Sequence, residues 1–392
     1  METGPIEPRE PGADDASRFA ALVGAFVRAD RAVVLTHDNP DPDAIASAAG
    51  LGFLIEEACG IPVVVTFGGI VGRAENRVLM DIVGVPFERI EGYEFRPGDA
   101  FVLVDAQPGA GNTAVPEDAR LAVVIDHHPA REVPRKAVYQ DVREAYGACA
   151  TMIVELMRAG GLEPGRPLAT ALFYGIQSET LDLGRETSEP DVEASVHLYP
   201  RIDPDALSRI RHARAPRALL EALHDALENA WYRGGVVFVP VGTLAYPDLV
   251  AQLADFVLRV QGVEWVVAVG RYGDDLLVSV RADEPRAHAG VWVREIADGR
   301  GPAGGHGQMA GARLPVHGKT EEQVEELVTD LFERFTELAG VADDPRRPLL
   351  EEHAESEAGR SASAGASGRT GSAATPGGAD PTPAPGGGKA FR

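Results

Sequence analysis

Three side chains suited to binding a metal ion follow an apolar run near the start of the chain. Residues 33–36 are apolar and mostly β-branched, which is typical of a buried strand, and a helix-like pattern begins at Ala44. His37, Asp41 and Asp43 therefore stand where a strand passes into a helix, and ligands of open α/β sheets bind at such positions. Crowded carboxylates repel one another unless a cation neutralises them, and histidine with aspartate oxygens suits Mn²⁺. The alternative is a polar turn whose side chains cap the helix.

Two further apolar runs end in the same kinds of side chain. Asp105 closes one run, and Asp126, His127 and His128 follow the next. Because the carboxyl ends of parallel strands lie at one edge of a sheet, we expect all three sets to meet there. Paired catalytic metal ions, about 3.5–4 Å apart, need a bridging carboxylate with further oxygen and nitrogen ligands. These residues supply both, so the sequence predicts a two-metal site.

The elements that must position these side chains are strands alternating with helices, which predicts a parallel sheet covered by helices. In the first half we expect strands at 32–36, 62–67, 100–105 and 122–126, and helices at 44–58, 148–159, 168–176 and 188–197. In the second half we expect strands at 236–241, 264–270 and 275–281, and helices at 246–260, 290–297 and 320–338, with a glycine-rich loop before the last helix. The predicted fold class is α/β, with a parallel-sheet N-terminal domain and a smaller C-terminal α/β domain.

Composition divides the chain into five segments. These are a disordered lead-in at 1–16, a first domain at 17–200, a helical connector at 201–230, a second domain at 231–342 and a disordered tail at 343–392. The tail is rich in Gly, Ser, Ala, Thr and Pro and has few apolar residues, a composition that cannot form a core.

Charge and hydropathy exclude several classes of partner. The net charge is −23, from 60 acidic and 37 basic residues, and such a field repels long duplex DNA and anionic membranes. A short anionic substrate in a locally cationic, metal-containing cleft stays compatible with it. No apolar run approaches the ~20 residues that span a bilayer, and the N-terminus is unlike a signal peptide. With two cysteines and no disulfide framework, we expect a cytoplasmic protein; the sequence leaves open whether it forms a homodimer.

Motifs spread over most of the chain resemble those of the DHH phosphoesterase superfamily. The first three motifs are similar to Asn-Pro-Asp-x-Asp at 39–43, the strand-end Asp105 and the triplet Asp126-His127-His128. The fourth is similar to 147–151 together with 174–180, and the Gly-Gly-His segment at 304–311 resembles the signature of the DHH-associated C-terminal domain. The resemblance implies a DHH catalytic domain, a substrate-binding second domain and an active site in the cleft between them.

The resemblance also implies a ligand set for two manganese ions. One ion would be held by His37, Asp41 and Asp105, and the other by Asp43, Asp105, His127 and a carboxylate of the fourth motif. That carboxylate is usually aspartate in the family, whereas this chain has Glu179, with Asp182 as the alternative ligand. Other divalent metals are compatible with these ligands.

The remaining site residues follow from the same resemblance. Asp126 is expected to orient His127 without itself binding the metal. His128 is expected to face the substrate phosphate. The expected catalytic residues are His128, Asp105 and Asp126. Substrate would be bound by Arg281, Gly304, Gly305 and His306, because glycine lets backbone N–H groups approach a phosphate closely.

The implied function is hydrolysis of phosphate esters of short nucleotides. The two-domain layout resembles enzymes that degrade very short RNA in the 3′–5′ direction or dephosphorylate 3′-phosphoadenosine 5′-phosphate (pAp). The alternatives are a cyclic-di-AMP or pApA phosphodiesterase, and a nucleotide-binding regulatory protein whose metal site has decayed, which the unusual Glu179 motivates. Family II inorganic pyrophosphatases share the N-terminal motifs but not the Gly-Gly-His module, and RecJ-like exonucleases act on long single strands, which the acidity of this chain disfavours.

Overall fold

The first sheet has the strand order of a doubly wound fold. A computed structural model of the protein describes residues 12–115, 119–131, 137–284 and 287–350, with the backbone but not the side chain of His306. Six parallel strands pair in the order β3-β2-β1-β4-β5-β6. They are β1 Arg31–Leu35, β2 Val63–Phe67, β3 Phe87–Arg89, β4 Asp99–Val104, β5 Leu121–Asp126 and β6 Tyr139–Val142. The order reverses direction between β1 and β4, and a crevice opens at the carboxyl ends of strands at such a switch point.

Eight helices precede the second sheet within the described residues; the first seven accompany the first sheet, and the eighth packs against the second sheet. They are α1 Ala13–Gly24, α2 Pro42–Cys59, α3 Ala74–Val83, α4 Cys149–Ala159, α5 Arg166–Glu179, α6 Glu189–Leu198, α7 Pro204–Arg211 and α8 Arg217–Asn229. The central helix is α2, which begins where Asp41 accepts a hydrogen bond from the N–H of Ala44 and ends at Gly60 in the left-handed conformation. Most of α2 is buried, because it packs against both α4 and α5.

The second sheet is mixed and carries its own cores. Its strands are β7 Trp231–Arg233, β8 Val236–Thr243, β9 Trp265–Tyr272, β10 Asp275–Ala282, β11 Ala303–His306, β12 Met309–Pro315 and β13 Arg347–Pro348, in the order β11-β12-β10-β9-β8-β7-β13. The helices are α9 Leu249–Val257, α10 Ala289–Ala297 and α11 Glu321–Leu338. One core contains Phe238 and Phe335 with the face of α11, and another contains α9. Both sheets belong to one compact unit that ends at Leu350.

The predicted α/β class is confirmed, and the predicted strands of the first sheet agree within about one residue, because buried parallel strands are nearly continuous apolar runs. The prediction of a glycine-rich loop before the last helix was wrong: β11 and β12 form a hairpin there.

The boundaries of the two ends also differ from those expected. Helix α1 begins at Ala13, inside the expected lead-in, and β13 pairs with β7 beyond the expected boundary at 342. Residues 1–11 and 351–392 of the predicted disordered ends lie outside the described residues. No helix in the described ranges is long and apolar enough to cross a membrane.

Gly50 is expected to be required where α2 crosses its neighbours. A Cβ atom there would lie 2.8 Å from Ile153 Cγ2 and 3.1 Å from Leu172 Cδ2. We predict that Gly50→Ala lowers the free energy of unfolding by about 1–3 kcal/mol through overpacking, as measured by urea denaturation. Gly24→Ala in α1 is the control, because nothing lies within 4 Å of its added Cβ; it should be neutral or stabilising. Equal effects of the two substitutions would contradict the packing argument.

A buried ion pair joins β1 to β4 and gives stability a dependence on pH. Arg31 Nε and Nη2 each donate to a carboxylate oxygen of Asp99 at 3.0 Å. Burial opposes ionisation of Asp99, yet the hydrogen bonds from Arg31 hold its pKa below its usual value. A lowered pKa in the folded state means that this contribution is full above the ordinary carboxylate pKa of about 4 and is lost as the pH falls below it.

We predict that Asp99→Asn lowers the free energy of unfolding by about 3 kcal/mol at pH 7, because it leaves the Arg31 charge uncompensated. The deficit relative to wild type should shrink at pH 3, where the wild-type carboxylate is itself protonating. Urea denaturation at both pH values is the measurement, and Asp81→Asn on the exposed side of α3 is the control. The same deficit at both pH values would contradict the assigned role of the charge.

Candidate metal centre

The turn between β1 and α2 holds its polar side chains through local hydrogen bonds. Asn39 adopts a left-handed conformation (φ 56°), which asparagine tolerates better than most residues, and its Oδ1 accepts a hydrogen bond from the N–H of Ile70. Asp41 Oδ1 caps α2. His37 Nδ1 hydrogen-bonds to the carbonyl oxygen of Asp38 at 2.9 Å, so that Nε2 is directed toward Asp41 and Asp105.

Asp105 lies at the centre of the site. It follows β4 at the switch point, has a φ of 56°, and its N–H donates to the carbonyl oxygen of Ile125. One carboxylate oxygen, Oδ2, is 3.6 Å from His37 Nε2, and the other, Oδ1, is 3.5 Å from His127 Nε2 and 3.6 Å from His128 Nδ1. Oδ1 is buried and has no hydrogen-bond partner among the described residues. The two oxygens of one carboxylate thus face the two sets of predicted ligands.

Asp43 is buried in the first turn of α2 and is held by the start of α4. Its carboxylate accepts hydrogen bonds from the N–H groups of Cys149 at 2.7 Å and Ala150 at 2.9 Å, and Oδ2 is 4.0 Å from His127 Nε2. Burial, and then the neighbouring charge of Asp105, raise the pKa of Asp43 well above its usual value. The predicted fourth motif at 147–151 therefore orients a carboxylate through backbone N–H groups.

The structure corrects the role expected for Asp126. Its Oδ1 is 2.9 Å from Nδ1 of His128, whereas His127 Nδ1 hydrogen-bonds to the carbonyl oxygen of Tyr146 at 3.2 Å. The N–H of His128 also approaches Asp126 Oδ1, at 3.3 Å, so that both the backbone and the ring of His128 contact this carboxylate. Burial opposes protonation of His128, but the hydrogen bond to Asp126 raises its pKa to about 9.

Gln107 completes this arrangement and was not predicted as a site residue. Its Nε2 donates to Asp126 Oδ2 at 2.6 Å and to the carbonyl oxygen of Pro129 at 3.1 Å. The only sequence signal was its place two residues after Asp105, at the end of the same strand. Gln107 and His128 thus hold the Asp126 carboxylate from both sides.

Glu179 and Asp182 lie in different surroundings. Glu179 is the last residue of α5, and burial, followed by the charges of Asp41 and Asp105, raises the pKa of its carboxyl group. Asp182 has a 72% exposed side chain that pairs with Arg211 at 2.8 Å. Of the two carboxylates considered for the fourth motif, Glu179 is therefore the one close to the predicted ligands.

The donor set fits divalent metal binding. Ligand atoms of Asp105, His127 and His128 lie within 4.8 Å of one another, and so do those of His37, Asp41 and Asp105. Burial opposes protonation of His37, yet contacts with Asp105 and Asp41 raise its pKa well above its usual value. Imidazole nitrogens together with carboxylate oxygens are donors that suit Mn²⁺ and similar ions, and the unpartnered Asp105 oxygen is an acceptor that such an ion would satisfy.

The predicted substrate-binding residues lie at the end of β10 and in the β11–β12 hairpin. Arg281 Nε donates to Asp255 Oδ1 at 2.6 Å, and Nη1 donates to the carbonyl oxygen of Val280. Gly305 has a φ of 149°, and a Cβ there would lie 2.4 Å from the Cα of Ala310. At Gly304 the nearest atom to an added Cβ is 3.8 Å away. The side chain of His306 lies outside the described part of the chain.

Sequence reasoning missed several charged residues around the metal-site residues. Arg185 Nη2 donates to the carbonyl oxygen of Glu179 at 2.8 Å, and its buried Nε has no hydrogen-bond partner among the described residues. Arg73 Nη2, from the segment before α3, is 3.5 Å from Asp255 Oδ2 on α9. Isolated arginines in polar segments give no periodic signal, so only the tertiary structure brings them to the site.

Comparisons with known proteins agree with this fold and site. Residues 31–176 match the N-terminal domain of the DHH family, and residues 234–337 match the DHHA1 domain. The chain belongs to the DHH family, as the motifs predicted, and carries both domains.

Two curated relatives are similar to this chain in sequence. An uncharacterized protein of Methanocaldococcus jannaschii is 32% identical over 286 residues, which is 72% of this chain and 58% of that protein. A protein of Streptococcus pyogenes, named "Probable manganese-dependent inorganic pyrophosphatase", is 27% identical over 42% of this chain and 52% of its own length. The chain therefore matches little more than half the length of these curated relatives.

Two solved structures share the fold. An exopolyphosphatase-related protein of Bacteroides fragilis superposes with a TM-score of 0.63 at 16% identity, covering 82% of this chain and 98% of its own. RecJ of Thermus thermophilus in complex with Mn²⁺ superposes with a TM-score of 0.50 at 17% identity, covering 87% of this chain and 56% of its own. At such identities the likeness concerns the fold alone.

The central position of Asp105 predicts its effect on metal binding. We expect Asp105→Asn to weaken Mn²⁺ binding at least about tenfold, because an amide offers no negative charge and cannot bridge two ions equally. Titration of free Mn²⁺ followed by electron paramagnetic resonance measures this directly. Asp182→Asn, whose carboxylate pairs with Arg211 instead, should bind Mn²⁺ like the wild type. Unchanged Mn²⁺ binding in Asp105→Asn would show that the metal lies elsewhere.

Proposed function

We propose that this chain is a manganese-dependent phosphoesterase that hydrolyses phosphate esters of short nucleotides. The observation that carries the proposal is the arrangement around Asp105, where one carboxylate oxygen lies 3.6 Å from His37 and the other lies within 3.6 Å of His127 and His128. One ion would be held by His37, Asp41 and Asp105, and the other by Asp43, Asp105, His127 and Glu179. Bound divalent ions lower the pKa of water, supply a nucleophile near neutral pH and withdraw charge from phosphoryl oxygens.

The protein's own contribution to the reaction centres on His128. The hydrogen bond to Asp126 favours the protonated form of the ring and fixes its orientation. The side chain is 40% exposed, so it can reach a bound phosphate. A protonated imidazole held in place donates a hydrogen bond to a phosphoryl oxygen as negative charge develops there. No covalent nucleophile is needed.

Local charge supports a short anionic substrate. The chain as a whole carries −23, which opposes long polyanions, but Arg185 and Arg281 both lie close enough to Asp255 to influence its ionisation. The Arg281 guanidinium and the backbone N–H groups of Gly304 and Gly305 are the proposed phosphate-binding elements of the second domain, and Arg185 adds a guanidinium group from the first domain. Within this class we favour very short RNA or pAp as substrate, acted on in the cytoplasm. A homodimer is compatible with the proposal.

Three alternatives differ in substrate or in activity. Cyclic-di-AMP or pApA hydrolysis needs the same metal site and differs only in the shape of the cleft. A nucleotide-binding regulatory protein that has lost its metal site is disfavoured, because Glu179 still supplies a carboxylate whose pKa is raised by the charges of Asp41 and Asp105. Pyrophosphate hydrolysis is favoured by the name of the Streptococcus pyogenes relative, but that similarity covers 42% of this chain and the present chain carries a DHHA1 domain.

Activity is tested with purified protein and Mn²⁺ on pAp, pApA, cyclic-di-AMP and pyrophosphate. We predict turnover of a nucleotide and a loss of about 100-fold or more in kcat for His128→Ala. His317→Ala is the control, because this ring is 86% exposed on the second domain. Nucleotide binding without any turnover would favour a nucleotide-binding regulatory protein. Turnover of pyrophosphate alone would overturn the proposed substrate class.

A further inference from the structure

The start of α9 lies against the first domain, next to the metal-site turn. The Tyr246 ring covers the backbone of Gly72, where an added Cβ would lie 2.4 Å from Tyr246 Cδ2. Ile70, whose N–H donates to Asn39, also packs against the core that contains α9. The residues that open α9 are thereby brought to the turn that carries His37 and Asp41.

Asp248 is the residue immediately before α9, and its carboxylate is not used by the helix. It makes no capping hydrogen bond, and its buried Oδ2 has no hydrogen-bond partner among the described residues. A buried carboxylate oxygen without a donor is costly, so its retention calls for a partner that binds there.

The charged residues that influence Asp248 most strongly are residues of the first domain, two of which are predicted metal ligands. Burial raises its pKa to about 6, and the charges with the largest further influence on that pKa are those of Arg73, His37 and Asp41. Arg73 is shared with Asp255, which also binds Arg281 at 2.6 Å. Asp248 and Asp255 are seven residues apart, so they lie on the same side of α9. The helix therefore presents one carboxylate bound by arginines and one with an unpartnered oxygen.

We propose that Asp248 is a specificity-determining residue that accepts a hydrogen bond from a ribose hydroxyl of the substrate. A carboxylate cannot donate to a phosphate and repels it, whereas a hydroxyl group donates to it. Asp248 thus selects ribonucleotides over substrates made of phosphate alone, such as pyrophosphate. This inference rests on the proposed function, because it assumes that the phosphate ester binds at the Asp105 centre.

The magnitude follows from the chemistry of a buried polar group. A site built to hydrogen-bond a hydroxyl rejects an analogue that lacks it, because its own polar group is then left buried without a partner. For a charged acceptor we expect a loss of about tenfold or more. Removing the carboxylate should abolish that discrimination, because hydroxyl and carboxylate act as a pair and their deletions are not additive.

The test is a double-mutant-type cycle that compares the affinities of two ligands for two proteins, the wild type and Asp248→Ala. The dissociation constants of pAp and its 2′-deoxy analogue are measured by calorimetry for wild type and Asp248→Ala, with Ca²⁺ in place of Mn²⁺ so that the site is filled while hydrolysis is slowed. The kcat/KM values of both ligands are then measured with Mn²⁺. We expect the wild type to favour pAp at least about tenfold, and Asp248→Ala to bind both ligands within about twofold of each other. A preference that persists unchanged in Asp248→Ala would overturn the inference, as would a wild type that does not distinguish the two ligands.

Further variants keep the result interpretable. Asp248→Asn has the same size and keeps an acceptor oxygen, so it should retain a preference for pAp while binding pyrophosphate more tightly than wild type; unchanged pyrophosphate binding would refute the charge argument. Glu322→Gln, in the exposed first turn of α11, removes a negative charge elsewhere in the second domain and should behave like wild type. If wild type binds pAp but hydrolyses nothing, the proposed function fails, while the ratio of dissociation constants still decides the role of Asp248.

Discussion

Electrostatic repulsion between buried carboxylates is the constraint on which this structure depends. Asp43 and Asp105 are both buried at the carboxyl edge of one sheet, and Asp41 and Glu179 lie within range of their charges. Such a cluster is destabilising unless protons or cations neutralise it. The surrounding fold keeps the groups together: the N-terminus of α4 binds one carboxylate, and the switch point between β1 and β4 presents another. Binding of divalent cations and stability of the first domain are therefore linked, and metal should stabilise the fold by mass action.

The first sheet and its site were accessible from the sequence because two signals coincide there. Parallel strands buried on both faces are continuous apolar runs, and the polar residues that end those runs must share one edge. His37, Asp105 and His127 follow from that rule alone. The sequence does not reveal how the chain turns after β5, and that turn decides that Asp126 binds His128 instead of its neighbour.

The second domain was harder to predict for physical reasons that its residues illustrate. The β11–β12 hairpin pairs through backbone groups of glycines, which have no side-chain alternation to reveal a strand, and β13 is only two residues long. Asp248 and Asp255 resemble ordinary solvent-exposed residues of an amphipathic helix. Their importance arises only when α9 is packed against the segment before α3, a contact between residues far apart in the chain.

The loop that follows Glu179 gives the two domains a mechanical connection. Leu181, Leu183 and Glu186 all have positive φ values, which bulky residues rarely adopt. Glu186 lies so close to the backbone at the tip of the β11–β12 hairpin that an added Cβ on Gly307 would overlap its carboxylate. The tip of the hairpin therefore lies against a loop that is continuous with Glu179 and has few alternative conformations. The second domain and the carboxylate proposed as a metal ligand are thus joined by one short stretch of chain whose backbone conformations are restricted.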